Sequence, residues 1–220
     1  MEILEIIILV AAIGNFFLGF FVFVKDSSKQ LNRFFGISCF FASLWILANF
    51  MMGMRETLFW LKTASAFGVL LPFTALLWIS ELCEKKITKW QLSLISFLGL
   101  FFFIVSYINN LIVANVTKVH LGGFEGEKGP LFIPYWVYIL GLLVFIMYTL
   151  IFKYRETTGI KKLQIGYVIT GATLYISTVS IVSFILPLFG IKRFIPLDSP
   201  SSLFLVFFTT LAIVRYHLFE

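Results

Sequence analysis

Apolar residues dominate this chain in long runs, broken by short polar segments. Seven such runs lie at roughly 3–24, 34–53, 58–82, 92–112, 135–153, 164–186 and 201–216. A hydrocarbon core about 30 Å thick takes roughly 20 apolar residues per helix. Each run is therefore predicted to be a membrane-spanning helix. The fold class is an all-α membrane protein, a seven-transmembrane helix bundle forming one domain over residues 1–220. An odd number of spans puts the two ends of the chain on opposite sides of the membrane.

The polar breaks carry the connections. Helix one runs into Lys25-Asp-Ser-Ser-Lys-Gln-Leu-Asn-Arg33, and the turn around Arg55 is too short for more than a reversal. The longest break, roughly 113–134, has strand-forming Val116, Thr117, Val119 and Leu121 before Gly122-Gly123. That pattern predicts a short β-hairpin. Between helices six and seven, Pro187, Pro196 and Pro200 punctuate the chain, with Asp198 or Ser199 as a helix cap and Pro200 at the first helical position. Pro72 falls in the middle of helix three, where it removes a backbone hydrogen bond. A static bend and a moving hinge both remain open there.

Charge sets the orientation. Lys25, Lys29, Arg33, Lys85, Lys86, Lys89, Lys153, Arg155, Lys161, Lys162 and Arg215, roughly eleven of the basic residues, fall on one side. Arg55, Lys62, Lys118, Lys128, Lys192 and Arg193, roughly six, fall on the other. The positive-inside rule makes the first set cytoplasmic, so the N-terminus is expected outside, the C-terminus inside, and the hairpin loop extracellular. The net charge of +6 then belongs to a cytoplasmic face matched to anionic lipid, with no nucleic-acid motif to claim it. With 60% hydrophobic residues and a mean hydropathy of +1.00, little sequence remains for a soluble domain. Glu2 and Glu5 replace the basic start of a cleavable signal peptide, so the first run is expected to stay as helix one of a multi-pass cell-membrane protein. Cys39 and Cys83 lie near cytoplasmic helix ends and are read as packing residues, without a disulfide. Tyr135, Trp136, Tyr138, Trp60 and Trp90 suit the aromatic belt at headgroup depth. Asn115-Val-Thr117 fits a glycosylation sequon, a pattern common by chance, and His120 beside it is read as a surface residue.

Polar residues inside hydrocarbon are functional candidates. Here Asn15, Trp45, Asn49, Tyr107, Asn109 and Asn110 lie in the middle or outer half of their helices. Thr170, Thr173, Ser177 and Ser180 share one face of helix six. They serve either as interhelical hydrogen-bonding groups or as the lining of a cavity open to the outside. Asn15, Trp45, Asn49, Tyr107, Asn109, Tyr138, Ser177 and Ser180 are the expected lining set. Glu81, a carboxylate at the cytoplasmic end of span three, is expected to pair with Lys85 or to face the interface. No metal-ligand spacing, phosphate-binding glycine loop or nucleophile-base set occurs, so no cofactor and no catalytic residue is expected. Helix seven has no lysine for a retinal Schiff base, and no filter segment marks a channel.

Asn32-Arg33-Phe34-Phe35 opens helix two and is followed by Trp45. Pro72 lies in helix three. Gln164-Ile-Gly-Tyr-Val-Ile-Thr-Gly171 opens helix six ahead of Pro187, and Arg215-Tyr-His-Leu-Phe-Glu220 follows helix seven. In this order the chain resembles the seven-helix N-terminal region of membrane sensor histidine kinases. The resemblance implies a sensory input module whose seventh helix leads to cytoplasmic output domains, with Arg215 and Tyr216 at the signal exit; Pro72 is kept as the candidate hinge. His217 does not match a phosphoacceptor box and no nucleotide-binding motif follows, so this chain is not expected to be an enzyme. The expected partners are membrane lipid, an unidentified extracellular ligand and cytoplasmic output domains, and a homodimer is left open. A small-solute transporter or channel is the alternative reading, and a structural membrane subunit the third.

Overall fold

A computed structural model describes residues 3–55, 57–118, 124–191 and 194–216. Seven principal helices follow one another: α1 (Ile3–Lys25), α2 (Gln30–Arg55), α3 (Leu58–Leu82), α4 (Lys89–Val105), α5 (Phe132–Glu156), α6 (Gly159–Ser180) and α7 (Ser202–Tyr216). Strands β1 (Val113–Lys118) and β2 (Phe124–Lys128) pair antiparallel between α4 and α5. The expected turn glycines and His120 lie outside the described residues, as do Lys192, Arg193 and His217. Helix α6 continues through a π turn (Ile181–Ile185) and a last α turn (Leu186–Leu188), and a 3-10 turn (Ile195–Leu197) precedes α7.

Five helices, α1, α2, α3, α5 and α6 with its extension, are long and apolar enough to cross a membrane. Helices α4 and α7 are apolar but shorter. The expectation of helix four at 92–112 is corrected at both ends. A capping box starts α4 three residues early: Thr88 Oγ1 accepts from the Gln91 N–H, and Gln91 accepts from the Thr88 N–H. At the other end, Asn109 and Asn110 adopt left-handed backbone conformations, φ 33° and 52°, and the helix stops at Val105.

Buried apolar residues form the core in two main groups. Near the hairpin, Val69, Phe102, Val105, Val113, Tyr135 and Ile139 join α3, α4, β1 and α5. Toward the end carrying Lys85, Lys153 and Lys161, hereafter the basic end, Leu76, Ile79, Leu150, Ile165, Val168 and Ile213 join α3, α5, α6 and α7. Helices α1 and α2 cross so closely at Gly19 that a Cβ there would overlap the Cβ of Cys39. Both cysteines are free and buried. Glu84 follows α3 and accepts hydrogen bonds from Lys153, at 3.3 Å, and from Lys161, joining three elements at the basic end. The expected Glu81–Lys85 pair does not form. The Lys85 ammonium reaches α5 instead, donates to Thr149 Oγ1 at 3.2 Å and sits 4.5 Å from the Phe145 ring centre. That site offers a cation both an acceptor and a ring face, whereas Glu81 is exposed.

Candidate functional site

A cavity of about 1220 Å³ runs between α2, α3, α5, α6 and the start of α7, with Glu5, Ile8 and Asn15 contributed by α1. Its walls are polar near the hairpin and apolar toward the basic end. Asn15, Trp45, Asn49, Ser180, Ser183 and Asp198 line the polar part; Pro72, Ala75, Trp78, Ile79, Ile146 and Met147 line the apolar part. Asn15 is buried, and its side-chain amide donates to the Ala11 carbonyl at 2.9 Å and to Ser202 Oγ at 3.3 Å, linking α1 to α7. The amide nitrogen of Asn49 has no hydrogen-bond partner among the described residues. Such a buried donor, left without water or protein, carries an uncompensated desolvation cost.

Asp198 is the carboxylate at the centre of the polar end. The expected helix cap is corrected here, because α7 begins at Ser202 and the Asp198 carboxylate turns toward α6. It accepts hydrogen bonds from Ser183 Oγ at 3.3 Å and Ser199 Oγ at 3.0 Å, while Ser201 Oγ donates to its carbonyl. Part of the residue faces the cavity, yet protein crowds the carboxyl group, and this burial pushes its pKa up from 3.8 to about 6. Ser183 lies within the π turn, a geometry that often marks functional positions on helices. Tyr175 lines the cavity within electrostatic reach of Asp198.

Across the cavity, Tyr135 is buried, and its phenol donates to the Ser65 carbonyl at 2.7 Å. The approach is possible because residue 68 is glycine: a Cβ there would lie 3.2 Å from Tyr135 Oη and 3.4 Å from Trp45 Nε1. One helical turn on, Pro72 lacks the N–H that would otherwise engage the Gly68 carbonyl.

The sequence-predicted set divides in two. Asn15, Trp45, Asn49 and Ser180 are brought together in the cavity wall. The other four are not, which corrects the expected lining. Tyr107 lies beyond α4, with its hydroxyl 3.5 Å from Thr63 Oγ1. Asn109 is exposed in the left-handed turn. Tyr138 points at α4, donating to the Ile95 carbonyl at 2.9 Å. Ser177 is exposed, as are Thr170 and Thr173. Helix six therefore does not use its hydroxyl stripe to grip a neighbour; Thr170 bonds the Gly166 carbonyl of its own helix at 2.9 Å. Arg215 and Tyr216 fall in the last turn of α7. Asp198, Ser183, Tyr175 and Tyr135 are the residues that sequence reasoning missed. For Asp198, the available signal was a lone carboxylate between two prolines ahead of an apolar helix.

Among the described residues, no group of three or more His, Cys, Asp or Glu is placed to hold a metal ion. No curated protein matches the chain. A family model described as the N-terminal 7TM region of histidine kinase matches residues 7–220. Apolar helices of spanning length and a match over nearly the whole chain lead to one conclusion: this membrane protein belongs to the family of N-terminal seven-transmembrane regions of histidine kinases.

Proposed function

We propose that the chain is the transmembrane sensory input module of a two-component histidine kinase. In this reading all seven helices span the membrane, the N-terminus and hairpin lie outside, and the C-terminus is cytoplasmic. A small molecule, a lipid or the state of the membrane acts on the cavity, and α7 relays the change inward. The observation that carries the reading is the shared wall: Asp198, Ser199, Ser202 and Leu205, all at or just before the start of α7, line the cavity. A ligand that contacts this segment differently in two bundle arrangements shifts the equilibrium between them by its differential affinity.

The short α4 is compatible with this topology. At 17 residues it sits at the lower limit for a span. The closed basic end argues for a sensor over a transporter or channel. There Leu76, Ile79, Leu150, Ile165 and Val168 fill the space between helices with side chains that offer a polar solute no partner.

The decisive experiment fuses the module after Glu220 to a kinase core. Insertions of one, two and three residues next to Tyr216 rotate the exit helix by about 100° per residue. Kinase activity is expected to vary with the insertion length. Activity indifferent to all three would exclude helical transmission through α7.

A further inference from the structure

The cavity is not closed on the side between α5 and α6. Val144 on α5 and Leu188 at the end of α6 both line it, yet they are 69% and 85% exposed. Leu140 and Tyr148 share this double character. In a bundle that crosses a bilayer, surface this apolar faces lipid tails, so the opening leads into hydrocarbon rather than into water. The slot is also elongated. On α5 its lining runs from Phe132 to Tyr148, about 24 Å along the helix axis.

The upper end of the slot has the opposite chemistry. There the Ser183 and Ser199 hydroxyls meet the Asp198 carboxylate, and Asn49 lines the same cavity. Asp198 makes no ion pair among the described residues, and two hydroxyl donors only partly offset its burial. Lys128 lines the mouth, but its ammonium rests 5.3 Å from the Phe132 ring centre. An anionic head entering from the side would meet the carboxylate.

We propose that the cavity binds an amphiphile carrying a protonated amine on an alkyl chain, admitted sideways from the bilayer between α5 and α6. The amine sits at Asp198 and the chain lies along Val144, Met147, Ile176 and Val179. This assignment rests on the membrane-spanning arrangement proposed above and names the class of signal that the module reads. It also supplies a route for the response. An ammonium has three N–H donors and no acceptor, so at Asp198 it competes with Ser183, the hydroxyl that ties the π turn of α6 to the segment before α7.

The test uses the full chain in phosphatidylcholine nanodiscs, with dodecylamine, dodecanoate and butylamine as probes and intrinsic tryptophan fluorescence as the readout. Dodecylamine is expected to bind saturably and at least tenfold more tightly than either other probe. Asp198→Asn should weaken dodecylamine binding at least tenfold. Val144→Trp, which narrows the side opening without touching the polar end, should slow dodecylamine entry severalfold while helix content by circular dichroism stays unchanged. Equal affinity for dodecanoate would overturn the cationic head, and equal affinity for butylamine would overturn the alkyl slot and the lateral route. If Asp198→Asn fails to fold, an unchanged entry rate in Val144→Trp still rejects the route. Intact binding without any change in the kinase fusion would reject the sensor reading and leave the binding assignment standing.

Discussion

Tyr135 on α5 donates its phenol to the main-chain carbonyl of Ser65 on α3 at 2.7 Å, one turn before Gly68, whose carbonyl lacks a helical N–H donor from Pro72. The bond holds two cavity walls at a fixed separation near the hairpin. Tyr135→Phe keeps the ring and removes the bond. It is expected to cost about 1 kcal/mol, the usual scale of an interhelical hydrogen bond in membranes. Thermal unfolding in nanodiscs would measure it, and an unchanged midpoint would show that the bond adds nothing.

Glu84 gives the basic end a dependence on pH. Hydrogen bonds from Lys161 and Lys153 hold its carboxyl below the usual value of 4.5. A carboxyl with a lowered folded-state pKa stabilises the fold above its unfolded value, and that contribution disappears as pH falls through the folded value. The side chain is largely exposed, so solvent screens the effect and the total is small. Glu84→Gln should reduce the loss of stability below pH 4.5. Identical acid limbs in the two proteins would contradict this assignment.

Asn32 is fully buried in α2, and neither atom of its amide has a hydrogen-bond partner among the described residues. Removing an unsatisfied buried amide relieves a desolvation cost of about 1–3 kcal/mol. Asn32→Leu, similar in volume, is expected to raise the unfolding midpoint. A lowered midpoint would mean that a partner outside the described residues satisfies the amide.

The proposed topology is tested by cysteines introduced at Lys128 and Lys161. Membrane-impermeant thiol reagents should label the first from outside and the second only from inside. The native thiols give little background, since Cys39 and Cys83 are both buried. Labelling of both introduced sites from the same face would overturn the seven-span arrangement.

Hydropathy made the helices legible, because each apolar run is long enough to dominate its local pattern. It failed where apolar residues continue past a helix end. Ile108, Leu111 and Ile112 prolong the fourth run, while the helix stops at Val105. The informative residues there were Asn109 and Asn110, whose short polar side chains tolerate the left-handed region. Likewise Thr88 and Gln91 spelled a capping box that the start of the apolar run concealed. The cavity was legible only in part, since polarity gives depth and helix but not direction. Asn15 and Asn49 face inward, whereas Tyr138 and Ser177, at comparable depths, face α4 and the exterior. Asp198 was hidden because its partner Ser183 stands 15 residues away on a π turn, a contact that only the folded chain creates.

The glycine at position 171 decides what kind of machine α7 can be. A Cβ there would lie 3.0 Å from the Cβ of Phe208 and 3.2 Å from the Cα of Leu205, so α6 and α7 meet almost backbone to backbone. Helices meshed this tightly behave like a shaft keyed to its bearing, and neither turns or slides without dragging the other. The α1–α2 crossing at Gly19 is tighter still, which makes that pair the frame against which α6 and α7 move. Spin labels on α6 and α7 should therefore keep their separation when the input changes, while the distance from either helix to α2 shifts. The stroke delivered at the cytoplasmic face would be that of a two-helix piston block, not of a single rotating rod.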